Sequence, residues 1–199
     1  MKYQSVSKEV CLNGVNYDVM ANDDYPIFPA IFKCIHGQAE AMASHYSRLL
    51  AFRYDIRCSD FEQTNSVMTK FCEKFKRRLN TKAFGYMKRL GYVWVREQKT
   101  SENPHYHAVF ILNGNNLRCP HRVIDVLEDI AFRLDLPKPF TPENSYAHFH
   151  RSEINSPETK EFLKRCSYLA KVNTKGNRPD KTHDYGSSRI QIKKRACDE

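Results

Sequence analysis

Apolar and polar positions alternate along Leu50–Cys58. Leu50, Phe52, Tyr54, Ile56 and Cys58 fall on one side; Arg53, Asp55 and Arg57 fall on the other. A period of two is the mark of a half-buried strand, and its polar side can face solvent or a ligand. Tyr92–Gln98 and His105–Leu112 read as two further strands. The polar run Lys99-Thr100-Ser101-Glu102-Asn103 between them predicts a hairpin with a longish loop. Helical spacing recurs in four places. Ile31, Ile35, Ala39, Met42 and Tyr46 form a stripe over 29–47, weakened in its middle by Gly37. Val67, Met68, Phe71, Cys72, Phe75 and Leu79 predict a core-facing helix over 65–82 with a basic outer side. Val123, Leu127, Ile130 and Leu134 predict a helix from Pro120, and Phe162, Leu163, Cys166, Leu169 and Ala170 predict one over 157–171. Ser156 can cap that last helix, and Pro157 fits its first position. Shorter strands are expected at 15–19, 147–150 and 188–192. The order is β, α, β, β, α, β, α, β after an N-terminal helix. It predicts an α+β fold with a central, mainly antiparallel sheet flanked by helices.

The 199 residues suit a single domain. Within it, 1–45 read as an N-terminal extension and helix, 46–192 as the core and 193–199 as a basic tail. The net charge is +9, and it is uneven: residues 164–195 hold ten Lys or Arg against Asp180 and Asp184. Such a segment suits a phosphate backbone, although a solvated basic end has the same composition. The seven cysteines are odd in number and include no C-x-x-C spacing, which argues against a structural zinc site or disulfide framework. A signal-peptide pattern and a run of 18 apolar residues are both lacking, so a cytoplasmic location away from membranes is expected.

The chemistry gathers at His105 and His107. Alternate residues of a strand share a face, so their Cβ atoms stand roughly 6.6–7 Å apart on one side, within reach of one metal ion. If the hairpin pairs residue 97 with residue 105, Glu97 joins them. A slip of one residue would substitute Gln98, and Glu102 is a weaker alternative. Two imidazoles and a carboxylate with open positions suit a divalent cation acting as a Lewis acid. On a helix of 100° per residue centred on Cys166, Tyr168 lies at about 200°, Lys164 at about 160° and Lys171 at about 140°. The tyrosine thus sits opposite the apolar stripe, where an ordinary surface tyrosine fits and where a phenolic nucleophile would have its oxyanion favoured by two lysines. His148 and His150 form a second His-x-His, but with neither the long apolar continuation nor a carboxylate strand before it. His36, His45 and His121 read as structural or surface residues.

The ordered set Val93-Trp94-Val95-Arg96-Glu97-Gln98, Pro104-His105-Tyr106-His107, Ser167-Tyr168-Leu169-Ala170-Lys171 and Gly186-Ser187-Ser188-Arg189 resembles the HUH endonucleases, and most closely the inovirus-type replication proteins that include the YagK/YfjJ family. The resemblance spans residues 92–190 and leaves 1–45 unmatched. It implies a five-stranded sheet with a nucleophile helix brought over the metal. It further implies Mg²⁺ or Mn²⁺ on Glu97, His105 and His107, and a single catalytic tyrosine, Tyr168, assisted by Lys171. The implied reaction nicks single-stranded or locally melted origin-like DNA through a 5′-phosphotyrosine. The implied setting is bacterial or phage-encoded, with a host or phage helicase and polymerase extending the 3′-OH, because no G-x-x-x-x-G-K-[ST] occurs in the chain. Initiating rolling-circle replication and nicking a competing phage genome would use the same site. A DNA-binding repressor, or a metal nuclease without a covalent step, remains open at this level.

Overall fold

A computed structural model describes residues 3–98, 103–115, 117 and 119–193. Its centre is one five-stranded sheet in which every pairing is antiparallel. In chain order the described residues form β1 (Glu9–Leu12), β2 (Val15–Asp18), α1 (Pro29–His45), β3 (Arg48–Arg57), α2 (Ser66–Leu79), β4 (Gly91–Glu97), β5 (His105–Asn113), α3 (His121–Phe132), β6 (Tyr146–His150), α4 (Pro157–Cys166) and β7 (Tyr185–Ser187). The central sheet has the order β6-β3-β5-β4-β7, and β1 pairs only with β2.

The pleat divides the interior in two. Leu50, Phe52, Tyr54 and Ile56 of β3, with Tyr106, Ala108 and Phe110 of β5, meet the apolar stripes of α2 and α3. Leu49 and Ala51, with Val93, Val95, Val109 and Ile111, meet α1, α4 and the β1–β2 hairpin. Helices therefore cover both faces. The second face is covered at one end only. At the other end its positions are Arg53, Asp55, His105, His107 and Glu97, which are too polar to sit under an apolar helix.

Two predicted elements differ. The last strand is Tyr185–Ser187, not 188–192. Its middle residue is Gly186, where a Cβ would come within 2.5 Å of the Trp94 ring. Glycine lets the edge strand close onto that indole. Beyond it Ser188 keeps one backbone bond, its N–H donating to the Tyr92 carbonyl at 3.0 Å, while its side-chain Oγ accepts the Tyr92 N–H at 2.9 Å. The predicted helix 157–171 stops at Cys166 and tightens into a 3₁₀ turn over Ser167–Ala170. Competing hydrogen bonds explain the change: the Ser167 hydroxyl donates to the Lys164 carbonyl at 2.6 Å and accepts the Met20 N–H at 2.7 Å.

The N-terminal segment that leads into α1 holds this turn in place. The Phe28 N–H donates to the Ala170 carbonyl at 2.8 Å, and the Val172 N–H to the Pro26 carbonyl at 2.9 Å. Behind them, the Tyr17 hydroxyl and buried His36 are 2.8 Å apart, which ties β2 to α1.

Candidate active site

Register brings the three predicted ligands together. In the β4–β5 pair Glu97 stands opposite His105, so the one-residue slip to Gln98 does not occur. The Glu97 Oε2 atom lies 3.2 Å from His107 Nε2 and 3.6 Å from His105 Nε2. One donor atom from each of the three lies within 4.8 Å of the other two. Glu97 and His107 are buried, while the His105 side chain is 34 % exposed, so the group opens on one side. This donor set fits a divalent cation: two imidazole nitrogens and a carboxylate oxygen converge and leave room for further ligands. It is the one such group among the described residues.

Three charged neighbours tune it. Burial pushes the Glu97 carboxyl up, but the His105 and His107 imidazoles beside it and the charge of Lys175 outweigh it and hold Glu97 well below the usual carboxylate range. Lys175 has a fully buried ammonium, 3.1 Å from Glu97 Oε1 and 2.7 Å from the Lys171 carbonyl. Asp55 stands opposite His107 in the β3–β5 pair, with Oδ1 at 2.7 Å from Nδ1. Burial lowers the His107 pKa, yet Asp55 and Glu97 together raise it above the ordinary value. Arg53 binds Asp55 through Nε and Nη2 at 3.1 and 2.9 Å, and Nη2 also lies 3.1 Å from His107 Nδ1. A guanidinium cannot accept, so the Nδ1 proton belongs to the shorter contact with Asp55. That leaves Nε2 facing Glu97 and the open side, the arrangement by which an outer carboxylate orients a ligating imidazole.

The tyrosine reaches the same place. The Tyr168 ring meets the His107 ring edge-on, with centroids 6.1 Å apart. Lys171 Nζ lies 3.6 Å from the Tyr168 ring centroid, and the Arg53 guanidinium carbon lies 4.8 Å from it. Lys164 does not take part, since its ammonium is paired with Asp18 on β2 at 3.1 Å. The 3₁₀ turn winds more tightly than the 100° per residue assumed from sequence, so neighbours along the helix do not stay neighbours beyond Cys166.

The sequence does not mark Asp55 or Lys175 as site residues, and it offers Arg53 only as part of a polar strand side that can face a ligand. The polar side of β3, which carries Arg53, Asp55 and Arg57, is the one available signal. Nothing in the loop around Lys175 marks it. His148 and His150 lie on the face that carries Leu50, on an edge strand separated from β5 by β3, so the second His-x-His is turned away from the first. Glu102, Lys194 and Arg195 lie outside the described residues. Three cations of the basic window already pair with carboxylates of the chain. Lys175 is spent on Glu97, Lys164 on Asp18, and Arg178 on Asp184 at 3.0 Å.

No helix of the described residues is long and apolar enough to cross a membrane. Among curated proteins, and among solved structures, none matches significantly. A family model does match, over residues 21–124, just over half of the chain. The match runs from the segment before α1 into α3 and includes Glu97, His105 and His107, while Tyr168 falls beyond it. With a match over more than half of the chain, on the strands that carry the three candidate ligands, the chain belongs to the family of the YagK/YfjJ C-terminal domain.

Proposed function

We propose that this chain is a metal-dependent, site-specific single-strand DNA nickase of the HUH type, working through a covalent 5′-phosphotyrosine. The observation that carries the reading is Tyr168 standing edge-on to His107, beside the Glu97–His105–His107 group, with Arg53 and Lys171 against its ring. A tyrosine placed only for packing needs no such neighbours. Glu97, His105 and His107 would hold Mg²⁺ or Mn²⁺, which when bound supplies Lewis-acid polarisation of a phosphate oxygen.

The chain's own residues do the rest. The Tyr168 oxygen attacks phosphorus, a P–O bond to Tyr168 forms, and the P–O3′ bond breaks. The phenolic proton leaves to solvent, and the departing oxygen takes one up as a 3′-OH. Lys171 and Arg53, the two cations against the Tyr168 ring, are placed to meet the negative charge of an incoming phosphate. Asp55 fixes the His107 ring, and Lys175 engages the Glu97 oxygen that faces away from His107. The bond to Tyr168 retains the phosphodiester energy, so religation can follow. The free 3′-OH would pass to a polymerase and helicase of the host or phage. Initiation of rolling-circle replication and attack on a competing genome both follow from this chemistry, and cytoplasmic action suits either.

The test is incubation with labelled single-stranded DNA and Mn²⁺, followed by denaturing electrophoresis. The parent should form a protein–DNA adduct that peptide mapping places on Tyr168, with an extendable 3′-OH. Tyr168→Phe should fold and bind Mn²⁺ and DNA, yet lose both nick and adduct. Nicking by Tyr168→Phe without adduct would mean activated water instead. DNA binding by the parent without cutting would mean a repressor. His105→Ala and His107→Ala should lose Mn²⁺ affinity in titration calorimetry, and His148→Ala should not.

A further inference from the structure

Phe140 is 58 % exposed and belongs to neither apolar cluster. A single exposed aromatic is ordinary on a protein surface, but this one is held in position. Its N–H donates to the Asp55 carbonyl and its carbonyl accepts the Asp55 N–H, both at 2.9 Å. Partners in an antiparallel bridge send their side chains to the same face. Phe140 therefore extends the row Asp55–His107 on the face of the candidate centre. Pro139 precedes it and Pro142 follows, which narrows the backbone freedom of the segment. Beside it opens a cleft of about 400 Å³ whose walls include Asp55, Arg57, Pro104, His105, His107 and Phe140. Arg57 stands opposite His105 and is exposed at the rim. One cleft thus combines a fixed aromatic face, a solvent-facing cation and both imidazoles of the ligand group.

We propose that this cleft receives one unpaired base of single-stranded DNA, stacked on Phe140, with the adjoining phosphate on Arg57, next to the nucleotide whose phosphate reaches the His105–His107 group. The proposal rests on the nickase reading and names where its substrate lies. A flat aromatic ring takes any base once that base is unstacked from a duplex, and the cation accepts the backbone without reading sequence. Asp55 does not oppose this, because Arg53 and His107 already engage its carboxylate.

The experiment is fluorescence anisotropy with labelled single-stranded DNA of random sequence, in EDTA to suspend metal-dependent cutting. Phe140→Ala should weaken binding about 5- to 150-fold, the loss of one base–aromatic stack. Phe140→Tyr should bind as the parent does, and Phe140→Leu should resemble Phe140→Ala. Phe132→Ala, at the 81 % exposed end of α3, should change nothing. Arg57→Gln should reduce the slope of log affinity against log salt by about 0.7. Unaltered Mn²⁺ binding by Phe140→Ala in calorimetry would show that the centre is intact. If the parent binds and forms the adduct while Phe140→Ala binds equally well, the cleft is not the base site and the nickase reading stands. Full binding by Phe140→Leu would likewise overturn stacking. A parent that neither binds single strands nor forms an adduct would remove both readings together.

Discussion

Asp55 is the residue on which the candidate centre's pH behaviour turns. In the metal-free protein both His107 nitrogens face carboxylates, Asp55 at 2.7 Å and Glu97 at 3.2 Å, and the imidazole pKa is raised despite its burial. A metal on Nε2 must displace a proton there, because only the neutral ring ligates. Mn²⁺ affinity should therefore fall as pH drops through the raised His107 pKa, and become independent of this group above it. Calorimetry in buffers of different ionisation enthalpy would show the proton release. Asp55→Asn removes the largest of the interactions that raise that pKa. The fall in affinity should then begin at a lower pH, while affinity at high pH drops about 10- to 100-fold as the ring loses its orientation. A purely structural role for Asp55 would leave the pH profile where it was. The Tyr168 test belongs to the same scale. Tyr168 is only half-buried, so removing its hydroxyl should cost little stability and much chemistry.

At the scale of elements, two glycines make opposite predictions. Gly37 lies in the middle of α1, and a Cβ there would meet nothing within 4 Å. Gly37→Ala should stabilise the protein by about 0.5–1 kcal/mol, because a helical glycine loses more backbone freedom than alanine. Gly186 is the reverse. A Cβ would strike the Trp94 ring, so Gly186→Ala must displace either β7 or the indole. Thermal unfolding should show a higher midpoint for the first variant and a lower one for the second. Equal midpoints would mean that both elements adjust freely. The 3₁₀ turn after α4 is also an element-scale feature, pinned by Pro26, Phe28 and Met20. This pinning gives the N-terminal extension a role: it sets where Tyr168 stands.

For the molecule as a whole, net charge overstates the surface available to DNA. Three of the cations in 164–195 already pair with carboxylates of the chain, and one of them, Lys175, has its side chain buried. Binding to single strands should still weaken with salt, by a slope of about 0.7 per phosphate contact. Replacing Lys193, Lys194 and Arg195 by glutamine should flatten that slope if the tail lies along the strand. An unchanged slope would assign the contacts to the sheet face and the rim around Arg57.

Local pattern was sufficient for most of the framework. Alternation and helical spacing depend on near neighbours in the chain, and they located the long strands β3, β4 and β5 and the four helices. They also placed His105 and His107 on one face, because the period of a strand is two whatever it pairs with. Pairing Glu97 with His105 needed the register, which the polar loop length left open by one residue and the antiparallel ladder decided. What the sequence could not specify were contacts between residues far apart in the chain. Asp55 meets His107 only because β3 lies beside β5. Lys175 reaches Glu97 across 78 residues of sequence, from a loop with no periodic pattern. Lys164 looked like a neighbour of Tyr168 on an ideal helix, but Asp18 claims it, and the helix itself tightens where Ser167 and the N-terminal segment exchange hydrogen bonds. Side-chain direction within an element follows from local geometry. Which charges face one another follows from packing, and that is decided only when distant segments share a surface.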